Sequence, residues 1–368
     1  MTKVGETVLE IDLRALEHNY LYLRSKINTE TKFLGVVKAF AYGSDSIAIA
    51  KKLESLGSDY LAVAYTSEGV ALRNAGIKLP ILVLHPQEVS FATMIEKCLE
   101  PSLYSRTIFS SFLKMAKDLG QKNYPVHLKF NTGLNRLGLG EKDIDYILGS
   151  LEGVDQIKIS SLFSHLAASE DLNEKDFTIS QINQFEKISS TIISKLKYRP
   201  KRHMLNTSGI INYPEAQYDM VRSGIGLYGY GNEAAEDEKL IPVATLKTII
   251  SQIHKIGPNE SVGYNRAFVS NTSMVTATLP LGHADGIGRQ YGNRIGHVSI
   301  HGKLAPIIGN VCMDMIMVDI TGIDCMEGDE VIVFGKEHSG EDLASSAKTI
   351  TYELLTGISQ RVKRIYFD

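Results

Sequence analysis

Eight short apolar runs alternate with helical stretches between residues 33 and 228, and few folds accommodate that rhythm. The runs are Phe33 to Lys38, Tyr60 to Ala64, Ile81 to Leu84, Leu99 to Tyr104, Val126 to Phe130, Ile157 to His165, His203 to Asn206 and Asp219 to Tyr228. Helical periodicity fills the gaps, for example over Ser46–Leu56, Arg106–Leu119 and Ser180–Leu196. Continuous apolar runs read as strands buried on both faces, and strands separated by helices pair in parallel. Eight such units predict an α/β fold, an N-terminal (β/α)8 barrel of TIM type, which typically needs ~250 residues. Ahead of the first run, Asp12 is placed to cap a helix whose apolar positions are Leu13, Leu16, Tyr20, Leu23 and Ile27.

Past the polar connection Glu233–Lys239 the pattern changes. Runs at Ala244–Ile253, Ser273–Leu279, Val298–Ile300, Ile316–Ile320 and Glu330–Phe334 follow one another through glycine turns with little helix, apart from one short helix expected within Glu341–Tyr352. Residues 1–239 are therefore read as the barrel and 240–368 as a mainly β C-terminal domain. A hydrophobic content of 43% supplies two cores. The 39 basic and 42 acidic residues, a net charge of -3 with no block of one sign, point away from nucleic acid and membrane surfaces toward small-molecule chemistry. Cys98, Cys312 and Cys325 form no C-x-x-C pair, and no H-E-x-x-H is present, so neither a disulfide framework nor a zinc site is expected. The first residues lack the apolar stretch of a signal peptide, and no run reaches the ~18 apolar residues that span a bilayer. A reduced, cytoplasmic location is the expectation.

Barrel active sites lie at the C-terminal ends of the strands, often with a phosphate held by the last two loops. Lys38 leaves the first strand at such an end. Burial there would destabilise its ammonium and make it a better nucleophile toward a carbonyl, a Schiff-base environment; an ordinary lysine snorkelling to solvent is the other reading. After the seventh run stands Asn206-Thr207-Ser208-Gly209, and within the eighth Arg222-Ser223-Gly224-Ile225-Gly226. Their hydroxyls and glycines suit a backbone that approaches a phosphate.

Four motifs now stand in order: V-V-K-A-x-A-Y-G at Val36–Gly43, T-G-x-x-R-L-G at Thr132–Gly138, L-P-x-G-x-A-D-G at Leu279–Gly286 and G-x-x-C-M-D at Gly309–Asp314. With them the chain resembles the alanine racemases, fold-type III enzymes that use pyridoxal phosphate (PLP). The resemblance implies that Lys38 carries PLP covalently and that Tyr42, Ser208, Gly224 and Ile225 hold its phosphate. It places Arg222 against the ring nitrogen and His165 against the ring. A guanidinium only donates, so the ring nitrogen opposite it would stay unprotonated. Racemisation needs an acid/base on each face of Cα; Lys38 would serve one and Tyr264 the other, the latter supplied by the partner subunit of a homodimer. Arg136 and the N–H of Met313 would hold the substrate carboxylate, and Tyr352, grouped with the cofactor-binding residues, would line the entrance. Lys129 matches a lysine that is carbamylated in some members.

The chain departs from the family at Asn131, where many members have aspartate, and at His283, where a tyrosine is usual. The implied activity is interconversion of L- and D-alanine, supplying D-alanine for peptidoglycan. The alternatives are a racemase of serine or broader range and a fold-type III amino-acid decarboxylase, against which Arg222 and Tyr264 both stand.

Overall fold

The computed structural model describes residues 5–231, 236 and 238–368. Residues 232–235 and 237 of the polar connection lie outside the described residues. Eight parallel strands form one sheet: β2 (Lys32–Val36), β3 (Tyr60–Val63), β4 (Ile81–Val83), β5 (Glu100–Leu103), β6 (Tyr124–Lys129), β7 (Ile157–Phe163), β8 (Lys201–His203) and β9 (Met220–Ser223). β9 pairs with β2, and the circle closes on β8 where Asp219 donates its N–H to the Arg202 carbonyl (3.1 Å) and Arg222 to that of Leu205 (3.1 Å). Five of the eight apolar runs contain their strand whole; β2 and β6 begin one and two residues ahead of theirs, and β8 meets the run His203–Asn206 only at His203. The last run is interrupted, because Gly224 breaks the extended chain and Ile225–Tyr228 coil into a 3-10 turn.

Helices cover the barrel as the periodicity predicts. Asp12 caps helix α1 (Leu13–Ser25), accepting the N–H groups of Arg14 and Ala15 at 3.0 Å each, and Leu13, Leu16, Tyr20 and Leu23 face inward. The helix expected from Ser180 begins earlier, at Lys175.

The second sheet has nine strands. Five residues near the N-terminus, β1 (Val8–Asp12), lie antiparallel to β10 (Ala244–Ile249) and parallel to β19 (Lys363–Phe367). The sheet therefore takes a strand from the far side of residue 239. The run Ala244–Ile253 is not one strand but β10 and the start of β11 (Gln252–Ile256). A small hairpin, β12 (Ser261–Val262) with β13 (Phe268–Val269), carries Tyr264 at its tip. β14 (Met274–Leu279), β15 (His297–Ile300), β16 (Lys303–Ile308), β17 (Ile316–Asp319) and β18 (Glu330–Phe334) complete the order β11-β14-β17-β16-β15-β18-β10-β1-β19. Instead of one short helix over Glu341–Tyr352 there are two, Gly340–Ser346 and Thr351–Thr356. The second returns Tyr352 to the mouth of the barrel. From β19, Arg364 donates to the carbonyls of Gly43 (2.7 Å) and Ser44 (3.2 Å), so the β domain braces the loop that follows β2.

Candidate active site

β2 ends at Val36, and the N–H of Val37 still bonds the Ala62 carbonyl of its neighbour (2.9 Å). Lys38 comes next. Ala39, Phe40, Ala41 and Tyr42 then all adopt the left-handed conformation, with φ between 51° and 56°, before Gly43 at φ 81° ends the turn. Side chains with a Cβ occupy that region at a cost of ~1–2 kcal/mol each, so the surroundings must hold the turn in place. They do. One oxygen of Glu68 accepts the Ala39 N–H (2.6 Å), and the other accepts those of Ala64 (2.7 Å) and Tyr65 (3.0 Å). A Cβ on Gly43 would come within 2.0 Å of the Leu355 carbonyl oxygen, which seals the turn against the helix of Tyr352. The coil turns Tyr42 back over the barrel mouth, where its ring stacks on Tyr228 at 4.5 Å and lies 5.9 Å from Tyr352.

Beneath it is a cavity of about 640 Å³. Lys38, Tyr42, His165, Arg222, Gly224, Ile225, Arg136 and Tyr352 all line it, together with Lys129. The lining carries four cationic side chains, two lysines and two arginines. Burial, then the neighbouring Arg136, hold the Lys38 amine below its usual pKa, against the opposing field of Glu68. The same forces, burial first and then Arg136, Arg222 and Lys38, bring Lys129 down to about 8. His165 lies well below the usual imidazole value, from burial first and then from Arg222. It is a neutral imidazole at pH 7.

Arg222 is buried, which lowers its pKa to about 9, and its guanidinium is held on several sides. Nη2 donates to the carbonyls of Ser164 (2.7 Å) and Met204 (3.1 Å) and meets Nδ1 of His165 at 3.2 Å; Nη1 meets Nδ1 of His203 at 2.5 Å. Across from it, the short helix Thr207–Asn212 and the turn Ile225–Tyr228 begin side by side. The Asn206 side chain caps the first through the Gly209 N–H (2.9 Å), and the Thr207 hydroxyl accepts the Gly226 N–H (3.2 Å) and bonds Ser223 (3.0 Å). The first N–H groups of such turns lack internal partners and favour an anion. Ser208 is buried in the same first turn as Thr207. A Cβ on Gly224 would lie 2.1 Å from the Tyr42 hydroxyl oxygen, so only glycine lets that hydroxyl rest on this stretch of backbone.

Three of the expected residues do not line this cavity: Ser208, in the turn just described, and two that lie elsewhere. Tyr264, 75% exposed, and Met313, 60% exposed, share a separate depression with Cys312, Asp314 and Met315 on the β domain. His283 sits beside them, its N–H bonded to the Cys312 carbonyl (3.0 Å). Asn131 organises the loop that carries Arg136, its side-chain oxygen accepting the N–H groups of Gly133 (3.1 Å) and Asn135 (3.0 Å). Sequence reasoning passes over Glu68 and His203. The first is an isolated acidic residue in a helix, and the second, although it ends a strand at the barrel mouth, sits in no recognisable motif.

Lys129 offers a test of this electrostatics in the cofactor-free chain. Its ammonium titrates at about 8 in the folded chain, against 10.5 for a lysine free in water. The folded chain thus binds fewer protons than the unfolded one between those values, so stability is lost below about pH 8 and regained as pH rises toward 10.5. Lys129→Met is expected to raise the unfolding free energy at pH 7 by roughly 3 kcal/mol, at about 1.4 kcal/mol per pH unit of displacement. Denaturant melts from pH 7 to 10 check this. The gain should shrink as pH rises; a gain independent of pH would refute the electrostatic origin.

Comparison with known proteins agrees with this geometry. The family model for the alanine racemase N-terminal domain matches residues 11–232, and that for the C-terminal domain matches residues 243–366. The alanine racemase of Methanococcus maripaludis is 36% identical over 97% of this chain and 97% of its own length. The solved alanine racemase of Clostridium difficile 630 superposes with a TM-score of 0.92 at 33% identity, covering 99% of this chain and 96% of that one. That of Bartonella henselae, solved with covalently bound pyridoxal phosphate, gives 0.90 at 28% identity, covering 99% of this chain and all of that one. The cavity fits the same group. Its donors comprise a lysine of lowered pKa, a guanidinium and a cradle of hydroxyls and N–H groups under Tyr42, and the excess of positive charge suits a phosphate and a substrate carboxylate. The chain belongs to the alanine racemase family, whose members depend on PLP.

Proposed function

We propose that the chain interconverts L- and D-alanine by two-base proton transfer, with Lys38 on one face of Cα and Tyr264 of the partner subunit on the other. When bound, PLP supplies a carbonyl that condenses with the substrate amine and a conjugated ring that spreads charge developing at Cα. The protein must then hold, orient and move one proton. Nζ of Lys38, made less basic by burial and Arg136, takes or returns it on its own face. A single group would return the proton where it found it and regenerate the same enantiomer. The second face therefore needs a second base, and the phenol of Tyr264 fills that role.

Several residues position rather than transfer. Tyr42, Ser208, Gly224 and Ile225 hold the phosphate, while His165 packs against the ring. Arg222, a donor only, keeps the ring nitrogen unprotonated, which restrains charge build-up on the ring and favours return of the proton over side reactions. Arg136 and the N–H of the partner's Met313 bind the carboxylate, and Tyr352 narrows the entrance. The observation that carries the shared site is the separation within one chain. Tyr264 and Met313 lie on an exposed apolar depression with Met315, apart from the Lys38 cavity. An exposed patch of this kind suits an interface, and a two-fold dimer would bring each patch to the other's barrel. The reaction is placed in the cytoplasm, where it supplies D-alanine for peptidoglycan.

The test is incubation of the PLP-loaded enzyme with L-alanine in D2O. Both enantiomers should appear with deuterium at Cα. Exchange confined to L-alanine, without D-alanine, would leave a one-base enzyme and reject the proposal.

A further inference from the structure

Behind Arg222 the barrel interior contains an unbroken line of polar side chains that the reaction as described leaves without a role. Nη1 of Arg222 is 2.5 Å from Nδ1 of His203, and Nε2 of His203 is 2.8 Å from the Ser161 hydroxyl. That oxygen is 2.6 Å from Nδ1 of His127, whose Nε2 is 2.6 Å from Oε2 of Glu100. The four residues come from the adjacent strands β8, β7, β6 and β5, and all are buried. Glu100 is the first residue of β5, at the end of the barrel away from the cavity. Phe163 stacks on the His203 ring at 4.9 Å with the two planes 1° apart, which fixes the ring's orientation.

The guanidinium at one end of this line sets the donors and acceptors along it. A guanidinium only donates, so Nδ1 of His203 is a bare acceptor and its proton is on Nε2. Nε2–H then donates to Ser161, whose own proton goes on to Nδ1 of His127, and Nε2–H of His127 donates to the carboxylate of Glu100. A guanidinium at one end and a carboxylate at the other are joined by two imidazoles and a hydroxyl, all polarised in one direction. Among the described residues, no carboxylate forms an ion pair with Arg222 directly. Glu100 stands in the position of its remote countercharge.

We propose that Glu100, His127 and Ser161 are positioning residues for the racemase: their hydrogen bonds lock His203 in its Nε2–H tautomer, so that its bare Nδ1 holds the Arg222 guanidinium in place. The inverse tautomer would set an N–H against a guanidinium N–H across 2.5 Å. The consequence for catalysis rests on the reading that Arg222 faces the ring nitrogen; the tautomer does not.

The experiment is 15N NMR of histidine-labelled protein, with and without PLP, alongside kcat and KM for alanine. Wild type should show His203 with a protonated Nε2 and a bare Nδ1. In Ser161→Ala the His203 signal should divide between two tautomers, and kcat should fall about tenfold with KM nearly unchanged, the worth of one buried hydrogen bond. Ser161→Thr, which restores the hydroxyl, should recover both. A wild-type His203 protonated on Nδ1, or a single Nε2–H tautomer surviving in Ser161→Ala with kcat unchanged, overturns the proposal. If Ser161→Ala fails to fold, Glu100→Gln keeps the shape and an acceptor but removes the charge. A His203 spectrum and kcat identical to wild type would then be decisive against the proposal, and a shifted His203 signal with lower kcat would support it. Failure of the two-base reading would appear separately, as wild-type enzyme that forms no D-alanine while its His203 tautomer is as described.

Discussion

Lys38→Ala is expected to give a folded chain that no longer retains PLP through gel filtration, shows no visible band from Lys-bound cofactor, and racemises alanine at least ~10³-fold more slowly. Two losses combine. The covalent anchor disappears, and so does the acid/base on one face of Cα, a role worth ~10²–10⁴-fold by itself. The fold should not suffer, because burial and Arg136 already disfavour the Lys38 ammonium. Its lowered folded-state pKa means that the charged amine opposes folding at neutral pH, and alanine relieves that cost. The strained turn of Ala39–Tyr42 is held by Glu68 and Arg364, neither of which bonds the lysine side chain. A cofactor-free melting temperature no lower than that of wild type, with the visible band lost, is the result to look for. A band that survives would mean that another amine carries the cofactor.

Tyr264→Phe should leave the visible band intact and reduce racemisation by ~10²–10⁴-fold. At 75% exposure in one chain the phenol contributes little to the fold, so a change in stability would not account for the loss. The more telling form of the experiment mixes two inactive proteins. In a heterodimer of Lys38→Ala and Tyr264→Phe chains, one site combines the intact lysine of one chain with the intact tyrosine of the other. A refolded equimolar mixture should therefore recover about a quarter of wild-type activity, since half the dimers are mixed and each has one good site of two. A site built within one chain would recover nothing. The mixture separates these cases even if Tyr264→Phe alone proves more active than expected.

The residues that carry these predictions differ in how legible they were. Lys38, Arg222 and the Asn206–Gly209 and Arg222–Gly226 loops could be placed from the chain alone because barrel geometry assigns strand ends to one face, and position in the β/α rhythm supplies the rest. The turn after Lys38 could not. Ala39, Phe40, Ala41 and Tyr42 have ordinary side chains, and their left-handed backbone follows from Glu68, Arg364 and the Leu355 carbonyl, all remote in sequence. The line from Arg222 to Glu100 was equally hidden. His127, Ser161 and His203 look like ordinary strand residues until neighbouring strands set them side by side.

Local pattern was enough for the barrel, for the change to β structure near residue 240 and for the motifs that mark the family, since a run of buried residues imposes its own periodicity on the chain. Pairing between distant segments required the folded molecule. β1 joins β10 and β19, more than two hundred residues away, through backbone ladders, and no local signal at Val8–Asp12 names its partners. The same holds for the pairing of Arg222 with His203 and for the distance between Tyr264 and the Lys38 cavity. Periodicity reports which side of an element is buried, whereas what it is buried against depends on long-range packing.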